Sequence, residues 1–317
     1  MRTPTAIGMV TAVLLASGGC ENESNVVGPA SVPPAPDLGA APDGGATGGA
    51  CSSTPARFAA GLAAEASDDR FVYGFGASQL LRAPIAGGAL AVVADRTDPA
   101  HDHLLMADGS FAYWVIARVG GSNVDAIVRA PSDGSAPPVA IGYGNGVESV
   151  VVADAVYFVG GGIVKSVRLG GSLAVTNGFG ALLAGGAQTL SWVGPDDAFA
   201  LHTRHLDAAV TTHSLGPADS DGTFLFAAMP LGEVRRYTLA DGSFTVVYRT
   251  PGTNPVVLRA DGDRLYVAVG GGALVRMASD GGGATTLVPA VETPPRFVVA
   301  GDSVFYAAGG DTWRVCK

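Results

Sequence analysis

The stretch Asp263-Arg-Leu-Tyr-Val-Ala-Val-Gly-Gly-Gly-Ala-Leu-Val-Arg276-Met-Ala-Ser-Asp280-Gly281 decides how the chain folds. It reads as an acidic turn, an apolar strand with an aromatic, a Gly-rich turn, a strand carrying Arg, and an Asp-Gly turn. Paired Gly and Asp-Gly supply the positive φ angles of tight hairpins. The apolar runs between them have strand length. The same order of features recurs along the chain. Arg marks it at Arg82, Arg129, Arg168, Arg204, Arg235, Arg276 and Arg314, at intervals of 31 to 47 residues. Their mean is about 39, within the period range of blade repeats.

Working outward from the Arg, an aromatic strand precedes each copy: Phe71-Val-Tyr73, Phe111-Ala-Tyr-Trp114, Val156-Tyr-Phe158, Leu190-Ser-Trp192, Phe224-Leu-Phe226, Leu265-Tyr-Val267 and Val304-Phe-Tyr306. A short apolar strand comes before it, as at Ser149–Ala153, Val256–Ala260 and Phe297–Ala300. Another follows the Arg and its turn, as at Ala89–Val93, Phe244–Tyr248 and Thr285–Val288. Four short strands joined by turns make one blade of a β-propeller. The predicted fold is therefore all-β, a propeller of seven four-stranded blades. It has six if the Arg204 copy, with its His-rich flanks, is not a blade.

The last copy stops after its third strand, at Cys316-Lys317. Pro55–Leu62, from the other end, is expected to supply the fourth. The ring then closes with strands from both ends in one blade, and no raw sheet edge remains there. A helical domain is excluded, because 46 Gly and 20 Pro are scattered throughout and no window sustains a 3.6-residue period.

The first 20 residues read as an export signal: Arg2, an apolar core over Ala6–Ala16, and small residues Ser17-Gly18-Gly19 before Cys20. Leu15-Ala-Ser-Gly-Gly-Cys20 resembles a bacterial lipoprotein box, with Ser17 where that family usually carries Leu. The resemblance implies acylation of Cys20, palmitate included, and a membrane anchor. An ordinary signal peptide with an incidental Cys is the alternative. Residues 21–54 form a Pro/Gly/Ala-rich tether without aromatics, expected to be disordered. Residues 55–317 form the propeller domain. With Cys20 lipidated, Cys51 and Cys316 remain as a pair, and an oxidising compartment predicts a disulfide between them. The implied location is the bacterial cell envelope, lipid-anchored, periplasmic or at the outer surface.

The repeated aromatic strands and Arg turns, seen in Tyr113-Trp114, Val156-Tyr-Phe158 and Phe305-Tyr306, resemble secreted bacterial β-propellers of the TolB-like and YWTD-like kind. Val115-Ile116 stands where YWTD repeats carry Thr-Asp, so no ligand follows from that likeness. The net charge of −9 argues against nucleic acid as a partner.

Signatures of catalysis are sparse. The chain has no GxSxG, GxxxxGK[ST], HExxH or CxxC. Asp219-Ser-Asp221-Gly222 and Asp261-Gly-Asp263 read as strand-connecting turns. In Asp95-Arg-Thr-Asp98-Pro-Ala-His101-Asp102-His103, the residues His101, His103 and Asp98 have side chains able to hold a divalent metal. The plainer reading is a solvated polar loop between blades. Asn145, Glu148, Asn177, Asn254 and Glu292 are assigned to equivalent loops at the channel mouth. In residue type they resemble the Glu/Asn-lined mouth of calcium-dependent propeller lactonases. His202, Arg204, His205 and His213 form a second polar group on the fourth repeat. The expected function is an envelope-anchored binding module for an unknown protein or small molecule, with no cofactor. The alternative is a metal-dependent lactonase- or lyase-like enzyme with its site at the channel mouth.

Overall fold

A computed structural model describes residues 45–46, 51–95, 103–116, 124–168, 175–180, 182–186, 188–194, 200–206, 212–213, 218–229, 232–250, 255–270, 272–289 and 296–317. The domain is a seven-bladed β-propeller of antiparallel sheets. From the channel outward, blade 1 is Ala63–Ser67, Phe71–Phe75, Gln79–Pro84 and Ala91–Asp95. Blade 2 is His103–Ala107, Phe111–Ile116, Asp125–Pro131 and Val139–Gly144. Blade 3 is Val147–Val152, Ala155–Gly160, Ile163–Arg168 and Val175–Phe179. Blade 4 has three strands among the described residues, Leu182–Gly186, Thr189–Val193 and Leu201–His205. Blade 5 is Ala218–Ser220, Phe224–Met229, Glu233–Thr238 and Phe244–Arg249. Blade 6 is Pro255–Asp261, Arg264–Val269, Leu274–Ala278 and Thr285–Val288. Blade 7 is Phe297–Ala300, Ser303–Ala308, Asp311–Cys316 and, from the other end of the chain, Ala56–Ala59.

Each inner strand lies beside the inner strand of the next blade, and that of blade 7 returns to that of blade 1. The core is divided accordingly into seven apolar clusters, one at each blade interface. Second strands are sandwiched between neighbouring sheets, so they bury both faces. Ala155–Gly160 is buried at every position, which explains a continuous apolar run in place of alternation. Trp114, Tyr73, Tyr113, Tyr266 and Phe305 are among the largest buried side chains. Each contributes roughly 1.5–3 kcal/mol of apolar burial.

The turns differ by face. First-to-second and third-to-fourth strand turns open on one face of the ring, and they are rich in Asp. In blade 1, Asp68 Oδ1 accepts the amides of Arg70 and Phe71, both at 2.7 Å. Asp108 in blade 2 and Asp221 in blade 5 hold the same turn. This side-chain cap satisfies backbone donors that a hairpin end would leave bare. On the opposite face, second-to-third strand turns use Gly pairs: Gly161-Gly162 at φ 61° and 74°, and Gly309-Gly310 at 61° and 81°. There an added Cβ meets open space, and the conformation alone calls for Gly. Gly281 is required for both reasons. Its φ is 92°, and a Cβ would sit 2.1 Å from the Val247 carbonyl oxygen of blade 5.

Blade 7 closes as the interrupted last repeat predicts. Ala56 and Arg57 pair with Arg314 and Trp313, and Ala59 with Thr312. Cys51 and Cys316 sit at disulfide geometry, Sγ–Sγ 2.06 Å and Cα–Cα 5.1 Å, with 265 residues of sequence separation. The bond stands where other blades have a third-to-fourth strand turn. Two residues of the expected tether also pair: Gly45 and Ala46 lie antiparallel to Ala89 and Gly88.

Candidate functional site

In blades 1, 2 and 5 a third-strand Arg is a packing device. Arg82 lies 4.3 Å over the Phe71 ring, Arg129 4.6 Å over Phe111, and Arg236 4.5 Å over Phe224. The aromatic opens the second strand, the Arg sits on the third, and cation–π attraction joins them across the ladder. The Asp of the preceding turn adds a lock. Tyr73 Oη donates to Asp68 Oδ2 at 2.6 Å, and Tyr113 Oη to Asp108 Oδ2 at 3.1 Å. Both phenols are pushed above their ordinary pKa, first by burial and then by the facing carboxylate.

This geometry corrects the Arg spacing in three blades. In blade 5 the equivalent residue is Arg236, opposite Phe226; Arg235 instead pairs with Glu233 and stacks on Phe244. In blade 3, Ser166 lies opposite Tyr157, two residues before Arg168. In blade 4, Arg204 lies opposite Leu190, on an exposed strand end. Blade 6 varies the lock: Lys317 Nζ takes Asp261 Oδ2 at 2.5 Å, and Tyr266 Oη is buried without a hydrogen-bond partner.

The inner strands hold three buried charged residues, Glu65, Asp219 and Arg259. Asp219, on the inner strand of blade 5, is fully buried. Its Oδ2 accepts the Ala260 amide of blade 6 at 2.8 Å and lies 3.8 Å from Arg259 Nη1. Burial pushes Arg259 down to about 10, partly opposed by Asp219. A second pair, Arg296 with Glu65 at 2.5 Å, links the start of blade 7 to blade 1. Sequence reading placed Asp219 in a turn, but only Asp221 is in one; Asp219 faces the next blade. No local signal set it apart, because its strand, Ala218-Asp219-Ser220, has no apolar run and leads straight into Asp221.

The predicted site residues fall in several places. Asn145 is exposed in the link from blade 2 to blade 3, on the Gly-turn face. Glu148 is on the inner strand of blade 3, and His103 opens that of blade 2. Asn177 lies on the outer strand of blade 3 and not in the loop after it, because that strand runs on to Phe179. Cys20, Asp98, His101, Asn254 and Glu292 lie outside the described residues. Among the described residues, no three His, Cys, Asp or Glu converge as a metal-holding group. The second polar group is split. His202 stacks on Trp192 at 5.5 Å, whereas His213 leaves blade 4 and pairs with Val151 on the channel side of blade 3. Thr212–His213 also lies near the inner strands of blades 2 and 4, so main chain enters the channel there.

No family model matches the sequence, and no curated protein matches it. Solved propellers do match by shape. The WD40 β-propeller domain of Doa1 superposes with a TM-score of 0.58 at 12% identity, covering 84% of this chain and 96% of that one. A structure of YCF48 bound to D1 peptide gives 0.53 at 13% identity, covering 83% and 96%. A putative TolB from Agrobacterium tumefaciens gives 0.47 at 12%, covering 80% and 88%, too loose a fit to set the TolB-like group apart from other propellers. At these identities the likeness establishes the fold alone, a β-propeller.

Proposed function

We propose that this chain is an exported lipoprotein of the bacterial cell envelope whose propeller binds a protein partner. One observation carries the reading. The chain enters and leaves the ring on the same face, where Cys51 and Cys316 meet. A tether running from a lipidated Cys20 would join the ring on this Asp-turn face, which leaves the opposite face, with its Gly turns and the links between blades, unencumbered. Rigid blades carrying variable links are suited to recognition. The propeller described as YCF48 bound to D1 peptide has a peptide ligand of its own, which supports a protein partner here by analogy of fold.

The test uses the full chain in cells that process lipoproteins. A photo-cross-linking amino acid is placed at Asn145 on the opposite face or at Asp241 on the tether face, each with Cys20 intact or changed to Ser. The expected result is label from a palmitate precursor and a membrane-bound protein with Cys20, both lost with Cys20→Ser. A discrete cross-linked protein is expected from position 145 and not from 241. Membrane retention of the Cys20→Ser protein, or equal cross-linking from both faces, contradicts the reading.

A further inference from the structure

Blades 1, 2 and 6 share one spacing and use it differently. An Asp at the end of the first strand stands five residues before the second-strand Tyr: Asp68 and Tyr73, Asp108 and Tyr113, Asp261 and Tyr266. In blades 1 and 2 the phenol donates to that Asp, at 2.6 and 3.1 Å. The backbone of blade 6 is laid out alike. Asp261 stands opposite Arg264 and Arg259 opposite Tyr266, just as Asp108 bonds Phe111 through its amide and Met106 stands opposite Tyr113. Yet Tyr266 is fully buried and its Oη has no hydrogen-bond partner. A buried hydroxyl left unpaired is costly and calls for an explanation.

The explanation lies in blade 7. Lys317 Nζ donates to Asp261 Oδ2 at 2.5 Å, so the carboxylate that the spacing assigns to Tyr266 is held by the neighbouring blade. It stays close enough to act on the phenol: burial raises the Tyr266 pKa first, and the Asp261 charge raises it further. Lys317 directly follows Cys316. Two ties hold that strand end from its outer side, the bond to Cys51 and the Cys316 amide donating to the Ser52 carbonyl at 2.9 Å. Both cysteines are half-buried, so a thiol in solution can reach them.

We propose that the Cys51–Cys316 bond sets a two-position switch: Asp261 is held by Lys317 while the bond is intact, and turns to accept Tyr266 Oη once a dithiol has reduced it. The exchange balances. A thiolate of the dithiol attacks one cysteine sulfur, the S–S bond breaks, and the other cysteine leaves as a thiolate that takes up a proton. The second thiol of the reductant then displaces the first cysteine, which also ends as a thiol while the dithiol becomes a disulfide. With Cys51 and Ser52 released, the strand end is left with its inner-side ties, among them the Lys317 amide donating to the Asp302 carbonyl at 3.1 Å. Such an end opens locally. Lys317 then leaves Asp261, and blade 6 acquires the lock of blades 1 and 2. The state of the seam is thereby passed to blade 6. Nothing in the switch depends on the protein partner proposed above, so failure here leaves that reading standing.

The experiment uses the full chain with its tyrosines isotopically labelled at the ring carbon that bears the hydroxyl. Nuclear magnetic resonance reads each one, and Tyr73→Phe, Tyr113→Phe and Tyr266→Phe assign the three signals. In the oxidised protein the Tyr266 signal is expected to stand apart from those of Tyr73 and Tyr113. Dithiothreitol is expected to move it towards theirs while theirs stay in place. Lys317→Met is expected to produce the same shift with the disulfide intact, and Asp261→Ala to abolish the response to dithiothreitol. Four results overturn the proposal. Tyr266 unmoved in oxidised Lys317→Met would mean that Asp261 does not turn. Tyr266 moved by Lys317→Met but not by reduction would uncouple the switch from the disulfide. A response that survives Asp261→Ala would rule out that carboxylate as the acceptor. All three signals moving together on reduction would be a general loosening of the ring.

Discussion

Blades 7 and 4 meet the same shortage and resolve it differently. In neither does the chain that follows the third strand supply a fourth strand among the described residues. Blade 7 takes Ala56–Ala59 from the far end and fastens it three times: by the Cys51–Cys316 pair, by Arg57 with Asp311 at 2.9 Å, and through Thr312. Thr312 is fully buried; its Oγ1 donates to the Leu62 carbonyl at 2.6 Å and accepts the Ala64 amide at 3.1 Å. In blade 4, Thr212–His213, at the spacing of a fourth strand, instead pairs with Val152 and Val151 on the inner strand of blade 3. The lesson is that closure of the ring concentrates covalent and side-chain fastenings at one seam.

The largest expected effect breaks the seam. Replacing Cys51 and Cys316 by Ser removes a cross-link across 265 residues of sequence. It is expected to cost roughly 2–5 kcal/mol, chiefly by freeing the unfolded chain. Urea unfolding of the double variant measures it, and an unchanged midpoint would show that blade 7 holds without its clasp. Next comes Thr312→Val, which keeps the shape and leaves the Leu62 carbonyl and Ala64 amide unpaired. Its expected cost is about 1–3 kcal/mol.

A pH experiment separates the locked blades from blade 4. Tyr73 and Tyr113 hold their protons in the folded state above the ordinary phenol value of 10.0. The linkage therefore runs one way: their stabilisation is complete below that value and is lost as pH rises past it. Blade 4 closes the corresponding turn differently, with Thr189 Oγ1 donating to the Gly186 carbonyl at 2.6 Å. Urea midpoints are expected to fall on titrating above pH 10.0, and less steeply in Tyr73→Phe, Tyr113→Phe protein. The smallest effect is at the exposed outer strand of blade 2. Val139→Thr, at a side chain 57% exposed, is expected to change stability by under about 0.5 kcal/mol, which a denaturation midpoint indistinguishable from the parent's would bear out.

Much of the ring was legible in the sequence, because hairpin geometry leaves local marks. The aromatic second strands, the Asp-Gly turns and the truncated last repeat all depend on residues within a few positions of each other. Arg was a poorer ruler. What sets its place is the ladder position opposite the second-strand aromatic, and a neighbouring Arg, as at Arg235 beside Arg236, reads the same in one dimension. The Asp219–Arg259 contact was not legible: its members stand 40 residues, about one repeat, apart, but the repeat marks positions within a blade and not which side chains meet across a blade interface. Asn177 was assigned to a loop for a related reason: the bulge where Thr176 and Gly178 pair with Lys165 and Val164 extends the outer strand past it. The detour of Thr212–His213 left no mark at all, since its spacing matches an ordinary fourth strand.

The central claim is that the two ends of the domain meet in one blade. Proteolytic mapping of the unreduced, full-length protein by mass spectrometry tests it most directly. The account predicts a single linked species joining the peptide with Cys51 to the peptide with Cys316. Recovery of Cys51 linked to Cys20, or of both Cys51 and Cys316 as free thiols, would contradict it.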